Sequence, residues 1–477
     1  MTSRHQGGRL AGVSAIALAI AATLYSPAAF AQTSGQVSEA ASNALLNRLN
    51  ALEQKVQQLE QRNAELEGQV TVTNKRVQET EAKVTSAGKT NGVVPTFTDS
   101  SGNTTFKVRG VIDADYVGFN ERRGGYDYNN GTAFRRARLG FEGTAFKDFN
   151  WKIEADFAGN SVNLQDVYVQ YSGLKPLEIT LGQHKAPFGL ESNNSDNYNV
   201  FLERGMFNNA AGALTAERRI GLTLAYVSDN FTASANVSGE NESISRASTA
   251  STTDTPDEGW GVNGRITWEP INQKGRVLHL GAAANWRTDL RTSSGAGTRL
   301  NDRPNVRVDG GSIIDSGTIA DATDAHYVGA EAAGIFGPVT IASEYGKLWV
   351  ERLGNAPTAH FDGYYVYGTF FLTGESRSFS DGNYSRIKPI HNFDGKGGWG
   401  AWELALRYDH ADLSDTPVLA NTGNKASNWT AGVNWYWNPN LKLQFNYIRF
   451  SGDNTPLDPV GAKTKGDAFA TRLHIDW

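Results

Sequence analysis

The 477-residue chain contains no cysteine and only two methionines. It therefore has no disulfide staple, no thiolate nucleophile and no Cys-ligated zinc site. The eight histidines are scattered, without H-x-x-x-H or H-E-x-x-H spacing, so the common helical metal motif is also missing. G-x-S-x-G does not occur, and Gly395-Lys396-Gly397-Gly398 lacks the spacing of a phosphate-binding P-loop. No cofactor, metal or enzymatic chemistry is expected. A formal net charge of −5 gives no polybasic character to draw nucleic acid. Beyond the N-terminal leader no stretch approaches the ~18–20 apolar residues of a transmembrane helix. Mean hydropathy is −0.43. This last absence does not exclude a membrane, because the strands of a transmembrane barrel are half polar and their hydropathy averages out.

What is present falls into regions. Arg4 and Arg9 precede an apolar stretch from Leu10 to Leu24, and Ala29-Phe30-Ala31 supplies small residues at A-x-A positions. This predicts a signal peptide over 1–31, cleaved after Ala31. Residues 32–85 follow as a coiled coil. Leu45, Leu52, Leu59 and Leu66 recur every seven residues, as do Leu49, Val56, Asn63, Val70, Val77 and Val84. The alternating 4-3 spacing is that of a left-handed supercoil. Val at a with Leu at d favours two strands, and Asn63 at a is placed to tune register. Residues 86–104 form a turn-rich linker.

From Thr105 the pattern switches to period two. Phe106, Val108, Ile112 and Tyr116 are apolar, while Lys107, Arg109, Asp113 and Asp115 are charged. Ala137, Leu139 and Phe141 alternate with Arg136, Arg138 and Glu142. The alternation recurs to the last strand, Phe469 to Trp477. A soluble half-buried sheet also alternates. Aromatics at strand ends, mixed charges on the polar face, and short turns such as Asn438-Pro439-Asn440 set against long loops at 240–258 and 287–324 point instead to lipid outside and water inside. The fold class is all-β, a transmembrane antiparallel barrel over 105–477 behind a short helical coiled coil. Roughly 20–25 residues per strand and connection gives roughly 15–19 strands, hence sixteen or eighteen, wide enough for an aqueous channel. The location is the outer membrane of a Gram-negative bacterium, with outer-membrane lipid as partner and the N-terminal segment in the periplasm.

Several stretches resemble the phosphate-selective porin family, the porin O and P group. They include Phe134-Arg135-Arg136-Ala137-Arg138-Leu139-Gly140, Gly182-Gln183-His184-Lys185-Ala186-Pro187-Phe188-Gly189-Leu190-Glu191, Phe201-Leu202-Glu203-Arg204 and Trp435-Tyr436-Trp437-Asn438-Pro439-Asn440. The resemblance implies a sixteen-stranded homotrimeric anion channel whose long loop folds into the lumen. That loop corresponds to about Ser192 to Gly212, with Asn193, Asn194, Asp196, Asn197, Tyr198 and Arg204 as constriction residues. Relatives that select phosphate place lysines there; this chain has none.

Parity puts Lys107, Arg109, Arg136, Arg138, Arg219, Arg265, Arg287, Arg407 and Arg472 on the lumen face as the pore-lining cations. Arginine suits anions because its planar fork pairs with two oxygens. From residue 96 on, 36 basic residues face 43 acidic ones, so any anion preference comes from placement rather than from the total. The expected permeants are small anions, phosphate or polyphosphate among them. A channel for sugars is the alternative, resting on Tyr168, Tyr365, Tyr367, Phe371 and Tyr436. A reading of another class is a tether from outer membrane to cell wall through the coiled coil.

Overall fold

The computed structural model describes residues 39–89, 94–123, 126–240, 258–290, 297–415, 424–453 and 463–477. The expected signal peptide lies outside these residues. The chain divides into two units, 1–82 and 83–477. In the first, Glu39–Ala87 is one helix, α1. Its Ala-, Leu-, Glu- and Gln-rich sequence favours that conformation. Leu45, Leu49, Leu52, Val56, Leu59, Leu66, Val70 and Val77 along it are between 48% and 67% exposed, so the apolar seam is an exposed face of the helix.

The second unit is a closed antiparallel barrel of sixteen long strands. In chain order they are β1 (Thr105–Arg123), β2 (Gly131–Ala145), β3 (Phe149–Asp156), β4 (Asn163–Leu174), β5 (Leu177–His184), β6 (Arg219–Ser228), β7 (Phe231–Ser238) and β8 (Gly261–Gln273). The circuit continues with β9 (Arg276–Arg287), β10 (Ala322–Phe336), β11 (Val339–Arg352), β12 (Ala359–Phe371), β13 (Ala401–Asp412), β14 (Lys425–Asn438), β15 (Leu441–Asp453) and β16 (Lys463–Asp476). Each strand pairs with its neighbours in sequence, and β16 pairs with β1 to close the ring. A small hairpin of Gly88–Lys89 with Thr96–Thr98 extends the sheet beside β1.

Side-chain alternation divides the wall. Leu139, Phe141, Leu181, Ile266, Ile341, Leu406 and Phe469 point outward and are between 40% and 62% exposed. So much apolar surface on a barrel exterior is the lipid-facing band of a membrane protein. Aromatics border the band, with Trp402 stacked on Trp435 at one end and Trp260 edge-on to Trp286 at the other.

The two ends differ. One carries both the start of β1 and the C-terminal Trp477, with tight turns at 146–148, 175–176, 229–230, 274–275, 337–338 and 439–440. The other carries the long connections. One connection departs from the expected asymmetry. Residues 372–400 emerge at the turn end and bring a short hairpin, Phe379–Ser380 with Asn383–Tyr384, into the barrel. The Tyr367 hydroxyl on β12 donates to the Tyr384 hydroxyl at 3.0 Å, and Tyr384 N donates to Asn194 Oδ1 at 2.9 Å.

Candidate functional site

From the loop end, residues 185–218 fold into the lumen. The segment contains a single turn, Leu190–Asn193, and the helix α2 (Met206–Thr215). Its docking follows from missing side chains on the opposite wall. A Cβ at Gly363 on β12 would overlap Phe207, and one at Gly346 on β11 would crowd both Phe207 and Tyr327. Phe188 stacks on Tyr327 with ring centroids 4.2 Å apart. Buried carboxylates from the wall then take the loop's free backbone donors. Glu344 accepts from Leu190 N at 2.5 Å and Glu191 N at 3.1 Å, and Asp409 accepts from Met206 N at 3.0 Å. Unpaired N–H groups at helix starts need such partners.

A second connection, residues 297–321, also turns inward. Leu300, Val306, Ile313, Ile314 and Ile319 are at most 2% exposed. Asn305 Nδ2 donates to the Arg204 carbonyl at 2.9 Å, and Arg307 pairs with Asp302 at 2.6 Å. By sequence 287–324 stands only as a long loop; the aliphatic Leu300, Val306, Ile313, Ile314 and Ile319 within it are the signal that it packs.

Two recesses lie along the inner wall of β1 to β6, one beside the 297–321 segment and one beside the 372–400 segment. One, of about 450 Å³ near the loop end, is lined by Asp115, Phe134, Arg135, Asp156, Arg303 and Arg307 among others. Another, of about 440 Å³ near the turn end, is lined by Lys175, Glu178 and Asp381 among others.

The candidate residues separate into two groups. Arg219, Arg265, Arg287, Arg407 and Arg472 share the inward face but are buried, Arg287 against Gly239, Glu240 and Gly259 and the other four beneath the folded-in segments. Arg219 and Arg287 pair with Glu240, Arg265 with Glu331, Arg407 with Glu191, and Arg472 with Asp115. Strand parity gives the side of the sheet, not what covers it. Lys107 and Arg109 keep open surface beside Glu142, while Arg136 and Arg138 face the loop.

The six loop residues separate as well. Asn193 Oδ1 accepts from Phe188 N, Asn197 Nδ2 donates to Asp476, and Tyr198 lies beneath Arg386. With Asn194, these residues tie the loop to itself, to the wall and to the 372–400 segment. Asp196 and Arg204 join the charged cluster. Asp196 Oδ2 lies 3.3 Å from Arg136 Nε and 3.3 Å from Arg138 Nη1; Oδ1 contacts Arg204 Nη2 and lies 3.8 Å from Lys185 Nζ. Burial alone would raise the Asp196 carboxyl, but Arg136, Lys185, Arg204 and Arg138 outweigh it and hold it well below the usual range. Burial pushes Lys185 down to about 7 against the pull of Asp196.

Alternation missed Arg135. A bulge in β2 pairs Arg136 with Asp113 and Phe134 with Ala114, leaving Arg135 between them. A bulge of this kind re-aims the extra side chain. Arg135 turns inward and grips Glu203 at 2.7 and 3.1 Å. Arg218, on Asp166 at 2.6 Å, and Arg303 and Arg307 were likewise not anticipated as site residues.

One asymmetry runs through the cluster. In its ion pairs the acid is usually the deeper partner. Arg135 is 29% exposed against 3% for Glu203, Arg307 23% against 1% for Asp302, and Arg109 20% against 2% for Glu154. Glu142 and Glu217 are the open exceptions, at 34% and 43%. The surface presented to the lumen is thus more cationic than the residue count.

Comparison with known proteins agrees with this architecture. The chain is 31% identical over 390 residues to an uncharacterized protein of Caulobacter vibrioides, covering 80% of this chain and 76% of that one. It is 28% identical over 408 residues to Porin O of Pseudomonas aeruginosa, covering 77% and 87%. Among solved structures, an anion-selective porin from Comamonas acidovorans aligns with TM-score 0.50 at 14% identity, covering 78% and 99%. A loop-deletion form of OmpT, an outer membrane protein of Vibrio cholerae, aligns at 0.51 with 11% identity, covering 79% and 100%. Both structures share the fold alone. Residues 106–477 match the family of phosphate-selective porins O and P, and the chain belongs to that family.

Proposed function

We propose that the barrel is a passive diffusion channel for small anions, narrowed where residues 185–218 approach the wall of β1 to β5. The carrying observation is the depth asymmetry of the ion pairs. Water in the lumen meets guanidinium and ammonium groups first, while many of their counter-acids lie behind them, and low-dielectric walls focus that field. A chain with excess acid can favour anions in this way. In this reading the long loops face outward from the cell, the tight turns face the periplasm, and the barrel is a homotrimer in outer-membrane lipid. The exposed seam of α1 then associates with its counterparts in neighbouring copies.

The sugar reading loses support from four of the five aromatics on which it rested; the fifth, Tyr168, is partly exposed. Tyr365, Tyr367, Phe371 and Tyr436 are at most 5% exposed. The three tyrosine hydroxyls among these four are engaged, Tyr365 with Glu344, Tyr367 with Tyr384 and Tyr436 with Glu403. They pack the barrel interior rather than forming an open stacking track.

Reversal potential across a planar bilayer in a potassium chloride gradient tests the proposal. A modest chloride preference is expected, and it should weaken at high salt because screening shortens the reach of the lumen charges. A potassium preference would overturn it.

A further inference from the structure

Residues 192–212 of the inward loop contain no lysine, and Asp196 stands among cations. The cluster around it has the geometry of an oxyanion site already filled. Each carboxylate oxygen faces two cationic side chains: Oδ2 faces Arg136 and Arg138 from β2, and Oδ1 faces Lys185 and Arg204 from the loop. The side chain of Asp196 is 6% exposed, whereas Arg138, Lys185 and Arg204 are 10%, 19% and 12% exposed. Arg136, which is 4% exposed, keeps a buried Nε that forms no hydrogen bond although it lies 3.3 Å from Oδ2. Donor capacity on this side of the cluster exceeds what one carboxylate uses.

We propose that Asp196 is a built-in counter-anion, a tethered carboxylate occupying a seat that would otherwise take a free oxyanion of carboxylate or phosphate type. The proposal rests on the channel reading and names its selectivity-determining residue. The charge balance supports it. Arg136 has a second acid in Asp113, Arg204 in Glu217, and Arg138 in Asp156 and Glu154. Among the described residues, Asp196 is the only acid that forms an ion pair with Lys185, which otherwise donates to the carbonyls of Ser192 and Asn194, both at 3.0 Å. Without the Asp196 carboxylate, the four cations would lose the one acid that they all share, with donors already oriented. Free anions in the wild-type channel must compete with a tethered group of very high local concentration, which keeps their binding weak.

The loop is held by contacts independent of that carboxylate. Asn197 N donates to Ser195 Oγ, Asn194 Oδ1 accepts from Tyr384 N, and Lys442 Nζ donates to the Asn197 carbonyl at 2.9 Å. Changing the Asp196 side chain therefore vacates the seat without removing these supports.

The test compares wild type, Asp196→Asn and Asp196→Ala by chloride conductance during titration with inorganic phosphate and, separately, with formate. Phosphate should half-block Asp196→Asn at a concentration at least tenfold lower than wild type. Formate, the free counterpart of the lost group, should block Asp196→Ala and leave wild type unaffected. Wild-type phosphate sensitivity in both variants, with no formate effect, would overturn the assignment. Calorimetric titration of phosphate into detergent-solubilised Asp196→Asn tests the same seat without conductance. A cation-preferring wild-type channel would thus remove the permeation reading, while calorimetry still decides the seat: measurable phosphate binding in the variant that exceeds wild type supports it, and equal binding overturns it.

Discussion

Trp477, the last residue, closes over Gly110. Their backbones are joined by Trp477 N donating to the Gly110 carbonyl at 3.1 Å and Gly110 N donating to the Trp477 carbonyl at 3.3 Å. The indole lies where a side chain at 110 would stand, so a Cβ there would overlap the ring. The junction extends the pairing of β16 with β1 that makes the sheet a ring. Gly110→Ala should force the indole aside, at a cost of about 1–3 kcal/mol, as for other overpacked sites. Urea titration of the refolded barrel checks this. Gly110→Ala in a Trp477→Ala background should recover part of the loss. An unshifted Gly110→Ala midpoint would show that the ring yields freely.

The wall was legible in the sequence because a strand buries nothing by itself except through alternation. Phe106, Val108 and Ile112 against Lys107, Arg109 and Asp113 suffice to set the faces of β1. The contents of the barrel were not legible in the same way. Arg265 and Arg407 obey the same alternation as Arg138, yet segments more than a hundred residues away in the chain cover them, and period two carries no information about that. Arg135 failed for a local reason, since one extra residue in β2 reverses parity at a single position. Asp196 could be named as a loop residue. Its four cationic neighbours come from β2, the end of β5 and the far side of the loop, so only the fold brings them together.

Glu203 is the next residue to test. It accepts from Arg135 at 2.7 and 3.1 Å, from Arg307 at 3.3 Å and from Arg472 at 3.2 Å. Burial would raise its carboxyl, but Arg135, Arg307 and Arg472 hold it well below the usual range. A depressed folded-state value contributes stability that is fully present above the unfolded value of about 4.3 and is lost as pH falls through the folded value. Glu203→Gln leaves three guanidinium groups short of a partner and should destabilise by about 3–5 kcal/mol, as breaking a buried pair does. The wild-type advantage in urea midpoint should shrink as pH is lowered below about 4. A difference independent of pH would mean that the carboxylate charge is not what holds the two inward segments together.

Gly363 and Phe207 set the position of α2. Gly363→Val would overlap the Phe207 side chain and press on the His410 carbonyl behind it. The helix should then be pushed off β12 toward the open lumen, lowering single-channel conductance. Phe207→Ala should relieve the overlap and restore conductance in the double variant. Equal conductance in Gly363→Val and wild type would show that α2 does not border the path of ions.

Lys185 should give the channel a pH dependence near neutrality. Burial pushes its ammonium down to about 7, opposed by Asp196, while Arg204 and Arg218 add to the depression. Below that value Lys185 is charged, and the cluster around Asp196 has its full set of four cations. As pH rises through about 7, one of them is lost, whereas Asp196, held well below the usual carboxylate range, stays ionised. Anion preference should therefore fall between pH 6 and pH 8, whereas an exposed lysine titrating at ~10.4 would give no change over that interval. Reversal potentials at the two pH values measure it. Lys185→Met, with no titrating group at this position, should give the same preference at both, close to the wild-type value at pH 8. The other ionisable groups of the lumen are common to both proteins, so the difference between them isolates Lys185. A pH response that persists unchanged in Lys185→Met would assign the titration to another group and place the Lys185 ammonium in its charged form throughout.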